Sequence, residues 1–238
     1  MAFVYEHPYP SPAAALAHPF VPLEVTRLDD DAMRAAGRVF LHTMQRRRSV
    51  RSISDDPVPR EVIDLAIEAA STAPSGAHQQ PWTFVVVGDR DLKRQIRLAA
   101  EEEEVRNYQG GRMNAEWQRA LGPLGTDAHK EFLEAAPWLV ILFEQRHGVG
   151  ADGGRLHHYY VKESCGIAAG LFITALHHVG LVTLTHTPSP MAFLTRLLGR
   201  PDNERPFVLF PVGHPTVDAL VPDLQRKALA EVMVTVGS

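Results

Sequence analysis

Three short apolar runs constrain this chain most: Thr83–Val87, Trp138–Phe143 and Phe207–Val212. Each has the length of a strand and reads as a buried one. Helical patterns fill the gaps between them. The stretch from Asp29 to about Arg46 starts acidic and ends basic, as a helix dipole favours. Pro57 and Pro59 open a second helix, on which Ile63, Ala66, Ile67 and Ala70 share one face. Further helices are predicted from about Asp89 to Tyr108, about His157 to Val179, and Pro190 to Leu198, with a short strand at Leu181–Thr185. Helices alternating with short strands around one sheet predict an α+β or α/β domain.

A length of 238 residues suits one large domain. Residues 1–25, rich in proline and alanine without periodicity, are expected to form an extended arm that packs on a partner subunit. Residues 26–238 should make a single domain, with a lid at about 105–130 and a second arm at about 217–238. The lid is expected to be mobile because it combines glycines, mixed charge and little apolar periodicity. A net charge of -4 gives no reason to expect nucleic acid. The lone Cys165 leaves no disulfide framework and points to a reducing, cytoplasmic setting. No signal peptide is legible, and the apolar stretch from Cys165 to Leu176 falls short of the roughly 20 residues a membrane span needs. Its Gly166 and Gly170 are read as small residues where backbones approach within a buried helix. No histidine spacing suggests a metal.

The chemistry lies elsewhere. Arg47-Arg48-Ser49-Val50-Arg51 places three guanidinium groups and a hydroxyl within five residues, a composition that suits a phosphate. Basic residues also gather at helix C-termini, so the cluster alone does not decide the matter. About two dozen residues later, Pro74-Ser75-Gly76 makes a turn tight enough for backbone to lie against a flat ring. One phosphate and one planar ring on a single molecule describe flavin mononucleotide, FMN. No Gly-rich dinucleotide fingerprint or P-loop competes with it. Glu104 and Tyr108 lie four apart, hence on one helix face, and Lys130 beyond the lid supplies the opposite charge. A carboxylate, a phenol and an ammonium together match the zwitterion of a free amino acid, although most charge runs such as Glu101–Glu104 are solvated helix faces.

The ordered motifs resemble the nitroreductase superfamily of flavoproteins, and within it the iodotyrosine deiodinases. The stretches concerned are Arg47–Arg51, Thr72–His78, Pro81–Val87, the Glu101–Glu104 run to Tyr108, His158-Tyr159-Tyr160, Gly180–Thr183, Leu197–Pro201, Val221–Leu224 before Arg226-Lys227, and Met233–Val236. The resemblance implies a central, mainly antiparallel sheet flanked by helices, in an arm-exchanged homodimer. It implies that Arg47, Arg48, Ser49, Val50, Arg51 and Arg226 hold the phosphate and ribityl end of FMN. Pro74, Ser75 and Gly76 of the other subunit would line the ring, and Thr185, His186 and Thr187 would edge it, the Thr187 hydroxyl donating to flavin N5. Glu104, Tyr108 and Lys130 would hold the zwitterion of a halotyrosine, and the Ala77 N–H its phenolate oxygen.

The implied activity is reductive dehalogenation of halotyrosines by single-electron transfers, with NAD(P)H as ultimate reductant, directly or through a separate flavin reductase. A nitroaromatic or quinone reductase of the same superfamily is the alternative, and a non-catalytic flavin or halotyrosine binding protein a third. Three departures bear on the substrate: His186 stands where a small hydroxyl residue is expected, the loop after Pro188 is short, and glycines enrich the lid.

Overall fold

The structure, a computed structural model, describes residue 7 and residues 9–237. The expected arm over 1–25 therefore lies partly outside the described residues. Contacts divide the chain into two compact units, Met1–His42 and Thr43–Ser238. In the first, α1 spans Pro12–Ala17, with the Ser11 hydroxyl accepting from the Ala14 N–H and Pro12 at the first helical position. The expected extended arm thus contains one short helix, because an N-cap, a proline and an alanine run coincide there. The next helix, α2 (Asp30–Gln45), begins with Asp30 and Asp31.

The second unit is a layered α+β domain. Its elements run α3 (Arg60–Ser71), β1 (Trp82–Val87), α4 (Arg90–Tyr108), α5 (Ala115–Leu121), α6 (Phe132–Ala135), β2 (Trp138–Gln145), β3 (His147–Val149), β4 (Arg155–His157), α7 (Val161–His178), β5 (Val182–Thr183), α8 (Ala192–Leu197), β6 (Glu204–Gly213) and α9 (Leu229–Val232). Four strands form an antiparallel sheet in the order β1-β2-β6-β5. The apolar runs on β2 and β6 are continuous because helices cover both faces. Val140, Leu142, Val208, Phe210 and Val212 pack with α3 and α7, whereas Leu139, Ile141, Phe143 and Leu209 pack with α4, α6 and α8. Phe172 on α7 is fully buried, with ring centroids 5.7 Å from Phe84 and 5.2 Å from Phe210.

Boundaries differ from the sequence expectations where local chemistry intervenes. The hairpin β3–β4 is unpredicted, since its histidines, glycine and arginine show no alternation of apolar side chains. Its pairing of His157 with His147 delays α7 to Val161. The strand expected over Leu181–Thr185 shrinks to two residues. Pairing with β6 lapses there and resumes only at the bridge between His186 and Leu209. Thr185 and Thr187 are exposed while His186 between them is buried. The segment expected to form a lid contains a helix: α5 is capped by the Asn114 side chain, which accepts from the Trp117 N–H at 2.8 Å. Gly166 and Gly170 do not serve approaches within the chain. Both are exposed on α7, and a Cβ on either would meet nothing within 4 Å. No described helix is long and apolar enough to cross a membrane.

Candidate functional site

The segment after α2 runs along the sheet edge. Ser49 forms a parallel bridge with Thr183, and the Val50 N–H donates to Thr183 O at 3.2 Å. Alternation along this extended backbone sends Val50 into the core, 6% exposed, and leaves its neighbours facing outward. Arg47, Arg48, Ser49, Arg51, Thr185 and Arg226 line one cavity of about 420 Å³. Val50 does not line it, and instead lines an adjacent cavity with Arg46 and His177. Among the described residues none of the four arginines pairs with a carboxylate. Burial lowers the Arg47 pKa, and the charges of Arg226 and Arg48 lower it further. Burial lowers that of Arg51 too. Crowded, uncompensated cations of this kind suit an anion.

Arg226 also serves the fold. Its guanidinium donates to Gln45 O at 3.0 Å and Arg47 O at 2.6 Å, satisfying carbonyls at the end of α2. Arg48 donates to Pro222 O, which ties the C-terminal segment to the same rim. Leu121 and Leu124, from the segment expected to form a lid, line this cavity as well, which no local pattern announces.

A second cluster lies beside it. Of the four consecutive glutamates, three are bound up in the helix surface: Glu101 pairs with Arg97, Glu102 with Arg106, and Glu103 with Arg106 and Arg112. Among the described residues Glu104 has no arginine partner. Burial raises its pKa, against the pull of Lys130 and a hydrogen bond with Asn107. Lys130 is only 2% exposed. Its ammonium donates to Thr126 Oγ1 at 3.2 Å and to Asp127 O, and stands 5.7 Å from the Tyr108 ring centre. Burial lowers the Lys130 pKa, partly offset by Glu104 and Asp127. The Tyr108 hydroxyl donates to Thr126 O at 3.2 Å. Burial raises its pKa, and the charge of Arg51 opposes the rise, so the two clusters feel one another. Glu104, Tyr108 and Lys130 thus lie near one another, the first two one helical turn apart on α4.

His186 is 6% exposed, edge-on to Phe132 at 5.9 Å, and its Nε2 has no partner among the described residues. Burial, reinforced by Lys130 and Arg51, pushes its pKa down to about 3, so it is a neutral imidazole. The turn Pro74–Ala77 is not among the residues lining the arginine cavity of its own chain. Its backbone is left-handed at Ala77, with φ 49°. Cys165 is buried against Pro81 O, and burial beside Glu144 pushes its thiol up to about 12, so it is inert.

Comparison with known proteins bears on this arrangement. Residues 44–214 match the nitroreductase family. The iodotyrosine deiodinase of Haliscomenobacter hydrossis is 52% identical over 90% of this chain and 96% of its own length. Iodotyrosine deiodinase 1 of Mus musculus is 50% identical over 91% of this chain and 76% of its own. The chain belongs to the nitroreductase family, among the iodotyrosine deiodinases. A crystal structure of an oxidized iodotyrosine deiodinase, bound to FMN and 3-iodo-L-tyrosine, superposes with TM-score 0.72 at 27% identity. That match covers 84% of this chain and 99% of the other. Its sheet and helices are those of the nitroreductase fold expected from the motifs.

Proposed function

We propose that this deiodinase-family chain is an FMN-dependent reductive dehalogenase of halotyrosines, converting 3-iodotyrosine and its analogues to tyrosine and halide. The observation that carries the reading is the grouping of buried Lys130 with half-buried Glu104 and Tyr108, next to a cavity lined by four arginines without carboxylate partners among the described residues. The cavity fits FMN by its donors: Arg47, Arg48, Ser49, Arg51 and Arg226 would hold the phosphate and ribityl end, with Thr185 at the ring edge. When bound, FMN supplies electrons singly.

The chain's own residues would do the rest. Glu104 accepts from the substrate ammonium, while Tyr108 and Lys130 bind its carboxylate. Lys130 and Tyr108 would exchange their bonds to the Thr126 and Asp127 carbonyl and hydroxyl oxygens for that carboxylate. The Ala77 N–H holds the phenolate oxygen and so keeps the ring electron-rich. The Thr187 hydroxyl would donate to the flavin edge. Protonation at the halogen-bearing carbon, with two electrons delivered in turn, replaces the carbon–halogen bond by a carbon–hydrogen bond and releases halide.

We infer further that two copies form the working unit. The Pro74–Ala77 turn would complete the partner's ring site, and several side chains face outward for want of cover: Ile167, Leu229, Val232 and Val234 are 45%, 66%, 65% and 89% exposed. NAD(P)H would be the ultimate reductant, directly or through a separate flavin reductase, in the cytoplasm. The test is iodide release from 3-iodotyrosine by dithionite-reduced protein under anaerobic conditions, with a nitroarene in parallel. Iodide and tyrosine should appear in step with flavin reoxidation. Reoxidation by the nitroarene alone would make the protein a general reductase.

A further inference from the structure

The turn before β1 holds an unusual concentration of left-handed backbone. Ala77, His78 and Gln80 have φ of 49°, 54° and 47°, and none is glycine. Each such residue costs about 1 kcal/mol or more, so the turn persists only where its surroundings hold it. Bonds inside the turn do part of this. The His78 N–H donates to Ser75 O at 3.0 Å, the Gln79 N–H to Gly76 O at 3.1 Å, and the Gln80 N–H to Ser75 Oγ at 2.9 Å. The Ala77 N–H is not spent on these bonds.

Among the described residues, the hydrogen bonds that join the turn to the loop before α7 come from one side chain. Gln79 Nε2 donates to His157 O at 2.7 Å, and Gln79 Oε1 accepts from the Tyr159 N–H at 2.9 Å. The amide thus stands in for a strand, bridging a carbonyl and an N–H two residues apart. The loop it grips is itself anchored. His158 Nδ1 bonds Gln145 O at 2.9 Å, and Tyr160 O accepts from the Ser164 N–H and hydroxyl at 2.9 and 2.6 Å. The two segments also touch: a Cβ on Gly76 would stand 2.6 Å from Tyr159 O. A clamp at Gln79 therefore transfers the rigidity of β2 and α7 to the strained turn.

We propose that Gln79 is a positioning residue, whose bidentate amide fixes the direction of the Ala77 N–H and thereby sets the affinity of the site for a phenolate. This rests on the proposed function, in which that N–H meets the phenolate oxygen. Glu104, Tyr108 and Lys130 grip the other end of the substrate, so two probes separate the contributions. 3-Iodotyrosine uses both ends, and 2-iodophenol carries only the phenol and the halogen.

In the FMN-loaded protein, Gln79→Met removes both bonds at nearly constant size. It should weaken both ligands by the same factor, about tenfold for a misdirected charge-assisted bond, as read by quenching of flavin fluorescence. FMN content and melting temperature should stay as in the parent. Gln79→Glu keeps the acceptor toward Tyr159 and loses the donor toward His157 O, so it should fold as the parent and also weaken both ligands. Glu104→Gln should weaken 3-iodotyrosine alone. If the parent neither binds nor deiodinates 3-iodotyrosine, the proposed function fails. If it does both, and the Gln79 variants leave the two affinities within twofold or weaken only 3-iodotyrosine, the clamp is refuted. Loss of FMN or of the fold in both Gln79 variants would equally refute it, by making Gln79 structural.

Discussion

The rim that carries Arg47 and Arg226 is held by bonds to backbone that no ligand has to break, whereas Lys130 and Tyr108 spend their polar atoms on the lid itself. At the first, Val50 is stitched to Thr183 and the Arg226 guanidinium closes the end of α2. At the second, the Lys130 ammonium and the Tyr108 hydroxyl both bond the Thr126–Asp127 segment. The first end is preorganised, so an anion finds its donors already placed. On the proposed function the second must exchange internal bonds for substrate bonds, so part of the binding energy would go into rearranging the Thr126–Asp127 segment. Cofactor and substrate affinity should therefore respond to different residues, even though Arg51 and Tyr108 feel one another's charge.

A crossed pair of substitutions tests that separation and carries the largest expected effect. Glu104→Gln removes a charge that Lys130 feels and, on the proposed function, the acceptor for the substrate ammonium. Once the substrate closes the site, losing one partner of the ammonium–carboxylate pair costs about 3 kcal/mol, which is over 100-fold in 3-iodotyrosine affinity. FMN affinity should not change. Arg51→Ala should do the reverse, lowering FMN affinity about 10- to 100-fold through loss of a charge-assisted bond. Dialysis equilibria read by flavin absorbance and ligand titrations of the loaded protein measure both. Equal losses of FMN in the two variants would break the comparison.

How much of this was legible beforehand follows the same division. The apolar runs at Trp138–Phe143 and Phe207–Val212 predicted the central strands because burial on both faces leaves an unbroken signature. The arginine motif and the spacing of Glu104 and Tyr108 are local patterns and could be read directly. Leu121 and Leu124 could not be placed on the arginine cavity, since that depends on where a glycine-rich segment docks. The Gln79 clamp was hidden too: its partners His157 and Tyr159 lie 78 and 80 residues away. The hairpin β3–β4 has no apolar alternation, so nothing in its residues announced it. Val50 was grouped with the cofactor residues because it sits inside the motif, yet strand alternation turns its side chain into the core.

His186 stands where the two ends meet, between Thr185 on the cavity and the charge of Lys130, and it sharpens the comparison through pH. Its ring is buried beside Phe132, with Lys130 and Arg51 disfavouring its protonated form. With its folded pKa depressed to about 3 from an ordinary 6.5, the unfolded chain binds the extra proton in between. The stability it contributes is present above pH 6.5 and drains away as pH falls toward 3. The slope for one proton is about 1.4 kcal/mol per pH unit. His186→Leu removes both the titration and the unpartnered Nε2. Melting curves from pH 7 to 4.5 should show the parent losing ground to the variant by a few degrees per unit. Parallel curves would mean that the imidazole finds a partner on protonation.

The lid itself gives the smallest effect. Glycines there suggest looseness, but Gly125 follows a short turn of 3₁₀ helix and sits at φ 59°, with its N–H donating to Gly122 O. It is a built stop for the segment that carries Leu121 and Leu124 over the cavity. Space is no obstacle to a side chain, since a Cβ at Gly125 would meet nothing within 4 Å. Only the backbone angle resists, at about 1 kcal/mol for a residue with a Cβ. Gly125→Ala should therefore weaken 3-iodotyrosine about fivefold, and Gly125→Asn less, because asparagine tolerates that region better. FMN affinity should move far less than substrate affinity, since the arginine rim keeps its own bonds when the lid shifts. An equal loss of both ligands would mean that the lid leucines hold the cofactor as firmly as the arginines do, and that the two ends are one.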